Sequence, residues 1–247
     1  MQPLKEAMPK TAFILGAGLG TRLYPLTDSC PKPLLPLGGR PLITYVMEHL
    51  LTLGIKRFIV NTHHLSHVYN MLFLDRTWRG NPIMFSHEPS LLDTAGGLKN
   101  IESLLEEDDE EILVYNGDIV SDLPLAQLLA VHRAQGREVT LALRSSGSPL
   151  NVCLTEQHEI CDFRGILGKK GKKCLFAGIY LVQKSFLKRL EPGRRESVVN
   201  IFLEMIRGEP GSVAGLIIDA GAWHDAGSLE EYERLDKLLW EKKENGM

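Results

Sequence analysis

The chain reads as an α/β protein built on a three-layer sheet, and three observations carry that reading. A glycine-rich loop, Gly16-Ala17-Gly18-Leu19-Gly20-Thr21-Arg22, follows directly on the apolar run Ala12-Phe13-Ile14-Leu15. Ile112-Leu113-Val114-Tyr115 is a short, continuously apolar run of the kind buried on both faces of a parallel sheet. Around these, strand-like and helix-like segments alternate as far as residue 145, the pattern of a sheet covered by helices.

Each element has its own signal. Pro41-Leu42-Ile43 opens a segment with apolar residues at 42, 43, 46, 47, 50 and 51, closed by Gly54; proline at its start and glycine at its end predict a helix. Ile55 to Asn61 reads as a strand and Pro82 to Ser86 as a second, shorter one. Gly97 to Leu105 is predicted helical, with Leu98, Ile101, Leu104 and Leu105 along one side. Pro124 to Gln135 reads as another helix and Val139 to Leu143 as a strand. Residues 150 to 182 read as strand pairs around polar turns, followed by helices at 184 to 190 and 197 to 206 and a strand at Val213 to Ile218. The last helix starts at Ser228, where Glu231 three positions on forms a capping box. No internal repeat is present.

The loop after the first strand is suited to phosphates. Its glycines let backbone amides approach a ligand without side chains in the way, and successive amides form a nest for anions. Arg22 and Lys32, the latter in Pro31-Lys32-Pro33, add two cations. A dinucleotide fingerprint is excluded: Thr21 stands where a third glycine or alanine is needed, no acidic residue occurs from 33 to 43, and Pro25, Pro31, Pro33 and Pro36 forbid a long helix. A Walker-type loop is absent as well, since no Gly-Lys-Ser/Thr follows at the required spacing. A second turn, Asn116-Gly117-Asp118, follows the apolar strand, and strand carboxyl ends are where such sheets bind ligands.

The ordered pattern Gly-x-Gly-x-Gly-Thr-Arg-Leu-x-Pro-x-Thr followed by Pro-Lys-Pro resembles the signature of the sugar-1-phosphate nucleotidyltransferases. Gly16 departs from it, the family often carrying alanine there. The resemblance runs from Thr11 to about Leu239 and implies a Rossmann-like fold with a mixed, mostly parallel sheet. It implies a single domain over residues 1–247, with a nucleotide-binding half at 11–145 and a sugar-phosphate-binding half at 146–240. It also implies transfer of a nucleotidyl group from a nucleoside triphosphate to a sugar 1-phosphate. The short members it most resembles make uridylyl or guanylyl derivatives of N-acetylmuramate, heptose or mannose 1-phosphates. With about twenty residues after Asp225, the β-helix extension of some relatives is not expected.

By the same resemblance, Leu15, Gly16, Ala17, Gly18, Gly20, Thr21 and Arg22, with Asn116 and Gly117, are expected to bind the nucleotide. Arg22 is expected on the β- and γ-phosphates and Lys32 on the α-phosphate or the incoming sugar phosphate. Asp118 and Asp225, the latter in Trp223-His224-Asp225-Ala226-Gly227, are expected to hold magnesium, with Arg22, Lys32 and Asp118 catalytic. Gly96 and Gly97, in Asp93-Thr94-Ala95-Gly96-Gly97, are expected along the base; as a plain reading, Asp93 or Thr94 caps a helix there. Asn151 and Gly178 are expected at the sugar. An ionised phosphate attacking the α-phosphorus in line needs no general base, so catalysis rests on positioning and charge neutralisation.

Composition sets the remaining expectations. With 28 basic and 31 acidic residues the net charge is −3, which predicts no general attraction to nucleic acid or anionic membrane. Cys30, Cys153, Cys161 and Cys174 fall at no zinc or redox spacing. Met1 to Lys10 lacks an apolar core, and no run approaches the ~18 apolar residues of a membrane span. A cytoplasmic monomer or small homo-oligomer is expected. Glu106 to Glu111 reads as a solvated acidic run and 169–173 as a lysine-rich hairpin tip. A catalytically silent relative and an enzyme acting on a non-sugar phosphate such as phosphocholine are the alternatives.

Overall fold

A ten-stranded mixed sheet is the spine of the computed structural model, which describes residues 8–244. Along the chain come β1 (Thr11–Leu15), the short pair β2 (Pro36–Leu37) and β3 (Arg40–Pro41), α1 (Ile43–Thr52), β4 (Arg57–Thr62) and α2 (Ser66–Leu72). Next are β5 (Thr77–Trp78), β6 (Asn81–His87), α3 (Asp93–Asn100), β7 (Glu111–Asn116), β8 (Ile119–Ser121), α4 (Ala126–Gln135) and β9 (Val139–Arg144). The rest comprises β10 (Val152–Leu154), β11 (Ile160–Phe163), β12 (Lys172–Gln183), α5 (Val198–Gly208), β13 (Val213–Ile217), β14 (Trp223–Asp225) and α6 (Leu229–Glu244). Residues 1–7, within the segment read above as lacking an apolar core, lie outside the described residues.

The sheet order is β11-β10-β12-β7-β1-β4-β6-β5, with β9 on the other edge of β12 and β13 beyond β9. β1 runs parallel to β4 and β7, and β4 parallel to β6, whereas β12 is antiparallel to β7 and β9. Alternation along β1 shows the layering. Ala12 and Ile14 pack with Ile43, Val46 and Leu50 of α1, while Phe13 packs with Leu98 of α3 and Phe202 of α5. Helices therefore cover both faces, as three layers require.

A third apolar cluster joins the proline-rich excursion to the C-terminal helix. Leu23, Leu35, Leu37 and Leu42 pack on Tyr232 and Leu235, the Gly38 amide donates to Asp236 Oδ1 at 2.6 Å, and the Tyr232 hydroxyl donates to the Pro36 carbonyl. At the start of α6 the Ser228 hydroxyl accepts the Glu231 amide at 3.3 Å, but the Glu231 carboxylate pairs with Arg234, so only half of the capping box forms.

Several segments differ from their sequence readings. The helix expected from Gly97 starts at Asp93 and ends at Asn100, with a 3-10 turn at Glu102–Leu104, so packing overrides the low propensity of two glycines. The helix expected at 184 to 190 is a 3-10 turn, Lys184–Arg189. Helix α2 and the ribbon of β8 with β14 carried no sequence signal of their own. The acidic run 106–111 is not wholly solvated: Asp109 is 2% exposed and accepts bonds from the Thr11 hydroxyl at 2.7 Å, the Glu106 amide at 2.8 Å and the Arg57 guanidinium. Periodicity cannot show this, because Arg57 comes from another strand.

Leaving the Arg57 guanidinium without its buried partner is costly. Asp109→Asn is therefore expected to lower the unfolding free energy by about 3 kcal/mol in urea titration, whereas Asp108→Asn, at an exposed position, leaves the midpoint where it was.

Candidate active site

The carboxyl ends of β1, β4, β6 and β7 lie along one edge of the sheet, so the segments that follow them meet there. They enclose a cavity of about 310 Å³. Its walls include the expected Leu15, Gly16, Ala17, Gly18, Lys32, Asn116 and Asp118, together with Asn61, Glu88, Leu91, Asp93 and Thr94.

The phosphate loop is anchored at its first residue. The Gly16 amide donates to Asn61 Oδ1 at 2.7 Å, and the Gly16 carbonyl accepts the Tyr69 hydroxyl at 3.1 Å. Gly16 therefore fixes the loop rather than offering its amide to an anion. Among the described residues the amides of Ala17 and Gly18, next along the loop, have no protein acceptor. Gly20 turns the chain with φ +67° into the 3-10 turn Thr21–Leu23.

Charge accumulates beside these amides. Lys32, buried in the 3-10 turn Lys32–Leu34, places Nζ 2.5 Å from Asp118 Oδ2, and an ammonium at such depth needs that partner. Asp118 sits in the turn between β7 and β8. Asp225 lies on β14, opposite Ile119 of β8. The Ala226 amide donates to the Asp118 carbonyl at 3.0 Å, which locks the two aspartates side by side.

Asp225 Oδ1 is buried with no hydrogen-bond partner among the described residues. Burial first and the Asp118 charge second raise its pKa above the ordinary carboxylate value, and Lys32 and Arg22 pull it partly back. A Cβ on Gly227 would lie 2.7 Å from Asp225 Oδ1 and 3.1 Å from Arg22 Nη2, so the Arg22 guanidinium stands on the Asp225 side of the site. Two adjoining carboxylates, one with an orphaned oxygen, suit a hard divalent cation that takes its other ligands from phosphate and water.

The remaining expected residues lie outside the cavity walls. The Gly117 amide is engaged by the Leu15 carbonyl at 2.9 Å, and the Gly96 amide donates to the Glu196 carbonyl at 3.4 Å instead of facing a base. Thr21 belongs to the 3-10 turn, and Gly97 packs inside α3. Asn151 precedes β10, its carbonyl accepting the Arg164 amide at 2.6 Å. Gly178, at φ +72°, interrupts the β12 to β9 register, and a Cβ there would lie 2.7 Å from Asn116 Nδ2. It makes room for Asn116 at the end of β7.

Glu88 and His49 carried no sequence signal of their own. Asp93 and Thr94 do not cap their own helix with their side chains: Asp93 Oδ1 takes the adjacent Thr94 amide at 2.6 Å, and Thr94 Oγ1 accepts the first amide of α5, Val198, at 2.8 Å. His49 lies between the Tyr115 hydroxyl and the Leu123 carbonyl, 3.0 Å from each, and burial lowers its pKa. The neutral ring with its proton on Nε2 satisfies both neighbours and ties α1 to the strand that presents Asp118. His63 and His64 are engaged by the carbonyls of Glu88 and Thr27.

Comparison with known proteins shows the family of the chain. The nucleotidyl transferase family model matches residues 11–241. Mannose-1-phosphate guanylyltransferase of Mycobacterium tuberculosis is 33% identical over 227 residues, covering 90% of the chain and 62% of that protein. The chain thus spans about three fifths of that relative's length. A mannose-1-phosphate guanyltransferase of Aspergillus fumigatus is 34% identical over 187 residues, covering 73% of the chain and 51% of that protein. Among solved structures, a putative glucose-1-phosphate thymidylyltransferase from Bacillus anthracis superposes with TM-score 0.77 at 21% identity, covering 93% of this chain and 95% of that one. HddC from Yersinia pseudotuberculosis, complexed with GMP-PN, gives TM-score 0.75 at 19% identity, covering 94% and 99%.

The Asp225 carboxyl, held above its ordinary range, favours the folded state when protonated; that stability is lost as pH rises through the raised value. Once ionised, it costs stability. Asp225→Asn is expected to raise the melting temperature at pH 7.5, by about 1 kcal/mol of stability, and added magnesium is expected to raise it further in the parent protein but not in the variant, both read by calorimetry.

Proposed function

Since the chain belongs to the nucleotidyl transferase family, we propose that it transfers a nucleotidyl group from a nucleoside triphosphate to a sugar 1-phosphate. Pyrophosphate is the second product. One observation carries this reading: the free amides of Ala17 and Gly18, the Lys32–Asp118 pair and Asp225 converge at the ends of β1 and β7. The named activities of the relatives support guanosine triphosphate as donor and mannose 1-phosphate as acceptor.

In the proposed reaction the sugar phosphate oxygen attacks the α-phosphorus in line, and the bond to the β-phosphate oxygen breaks. Ala17 and Gly18 receive phosphate oxygens on their amides. Lys32 swings its ammonium from Asp118 to the α-phosphate or the incoming phosphate, and Arg22 takes the departing pyrophosphate. Asp118 and Asp225 hold magnesium, which when bound neutralises charge on the phosphates. The side chain of Asp118 is 24% exposed, open enough to exchange partners.

Small phosphates rather than nucleic acid are the proposed substrates, in line with a net charge of −3. Among the described residues no helix is long and apolar enough to cross a membrane. All four cysteines are free thiols, which fits a reducing compartment, and we assign the enzyme to the cytoplasm.

A matrix of the common nucleoside triphosphates against sugar 1-phosphates and phosphocholine, read by pyrophosphate release, tests the proposal. Guanosine triphosphate with mannose 1-phosphate is expected to be fastest, with activity lost on chelation of magnesium. Release with phosphocholine alone, or with no pair at all, refutes it. Arg22→Ala is expected to slow turnover about a hundredfold, roughly 3 kcal/mol of barrier, with little change in sugar-phosphate affinity; the reverse pattern removes Arg22 from the pyrophosphate.

A further inference from the structure

Glu88 follows β6 and has no exposed surface, yet it belongs to none of the roles assigned above. Both its oxygens are occupied. Oε1 accepts Asn61 Nδ2 at 2.7 Å and Oε2 accepts the Leu92 amide at 2.9 Å, while Asn61 Oδ1 takes the Gly16 amide at 2.7 Å. The pair lies flat on α3, where a Cβ on Gly97 would come within 2.7 Å of Asn61 Nδ2 and 2.8 Å of Glu88 Oε1. One unbroken chain of buried hydrogen bonds thus joins the start of the phosphate loop to the segment that carries Asp93 and Thr94, which line the same cavity.

We infer that Asn61 and Glu88 are a positioning pair that sets the spacing of these two segments and thereby governs capture of the nucleotide. The donor and acceptor count explains the residue types. Each end of the bridge meets a backbone N–H and needs an acceptor, and the contact in the middle needs one donor facing one acceptor. An amide beside a carboxylate meets all three requirements. A carboxylate at 61 with an amide at 88 meets them equally well, with the polarity reversed. Neither side chain touches the reacting atoms, and no exposed surface of Glu88 is left to read a base.

The inference rests on the nucleotidyl-transfer reading, and the reversal supplies its test. Glu88→Gln turns its NH₂ toward either Asn61 Nδ2 or the Leu92 amide; Asn61→Asp sets two carboxylate oxygens against each other. Each single variant is expected to raise the KM for the nucleotide about tenfold, the effect of one unsatisfied buried group, while the KM for the sugar phosphate stays within about twofold of the parent value. The double variant N61D/E88Q is expected to recover the nucleotide KM. Amide hydrogen exchange at Gly16 and Leu92, measured without ligand, is expected to quicken in each single variant and slow again in the double.

A double variant as weak as the singles, equal losses toward both substrates, or exchange that never changes would overturn the inference. Altered base preference in Glu88→Gln would do so too, by making Glu88 a reader of the base. A parent protein inactive on every substrate pair, but with the expected exchange pattern, would refute the reaction and leave the bridge standing.

Discussion

Repulsion between like charges is the constraint to which the whole site answers. In the proposed reaction a triphosphate, a second phosphate and two aspartates cannot share a small volume unless cations and backbone amides offset them. The fold begins this before any ligand arrives: Lys32 is held against Asp118, and Arg22 stands near Asp225. Among the described residues Asp225 still lacks a partner for one buried oxygen, which makes it the least compensated group in the cluster.

Such a cluster needs a rigid frame, and parallel strands supply it. β1, β4, β6 and β7 end along one edge because they run in the same direction, so the turns after them meet without further instruction. The two-stranded ribbon of β8 and β14 then carries Asp225 to Asp118 from far along the chain. Tyr232 and Leu235 of α6 cover the proline-rich excursion bearing Lys32, so the last helix helps to hold the first loop.

The frame is also bonded internally where its walls come close. Gly16 is fixed through both its amide and its carbonyl, and Glu88 spends both oxygens on neighbours. Groups that look like ligand-binding elements in one dimension are thus partly consumed as structure. The Gly16 and Gly96 amides are the clearest examples, and the amides one step beyond Gly16 are the ones left open.

The sequence by itself determined the alternation of strands and helices and the glycine loop with Arg22 and Lys32 beside it, because these follow from local chemistry: glycine spacing, proline placement and runs of apolar residues. Asp118 and Asp225 stand out as a metal pair only through the family resemblance. Only the tertiary structure decided that Asp225 lies on a strand, that Asp109 is buried, that α3 runs through two glycines, and that Asn61 and Glu88 pair in the cavity wall. Each of these depends on a partner distant in the chain, and neither periodicity nor propensity records which backbone or side chain will come to face a given residue.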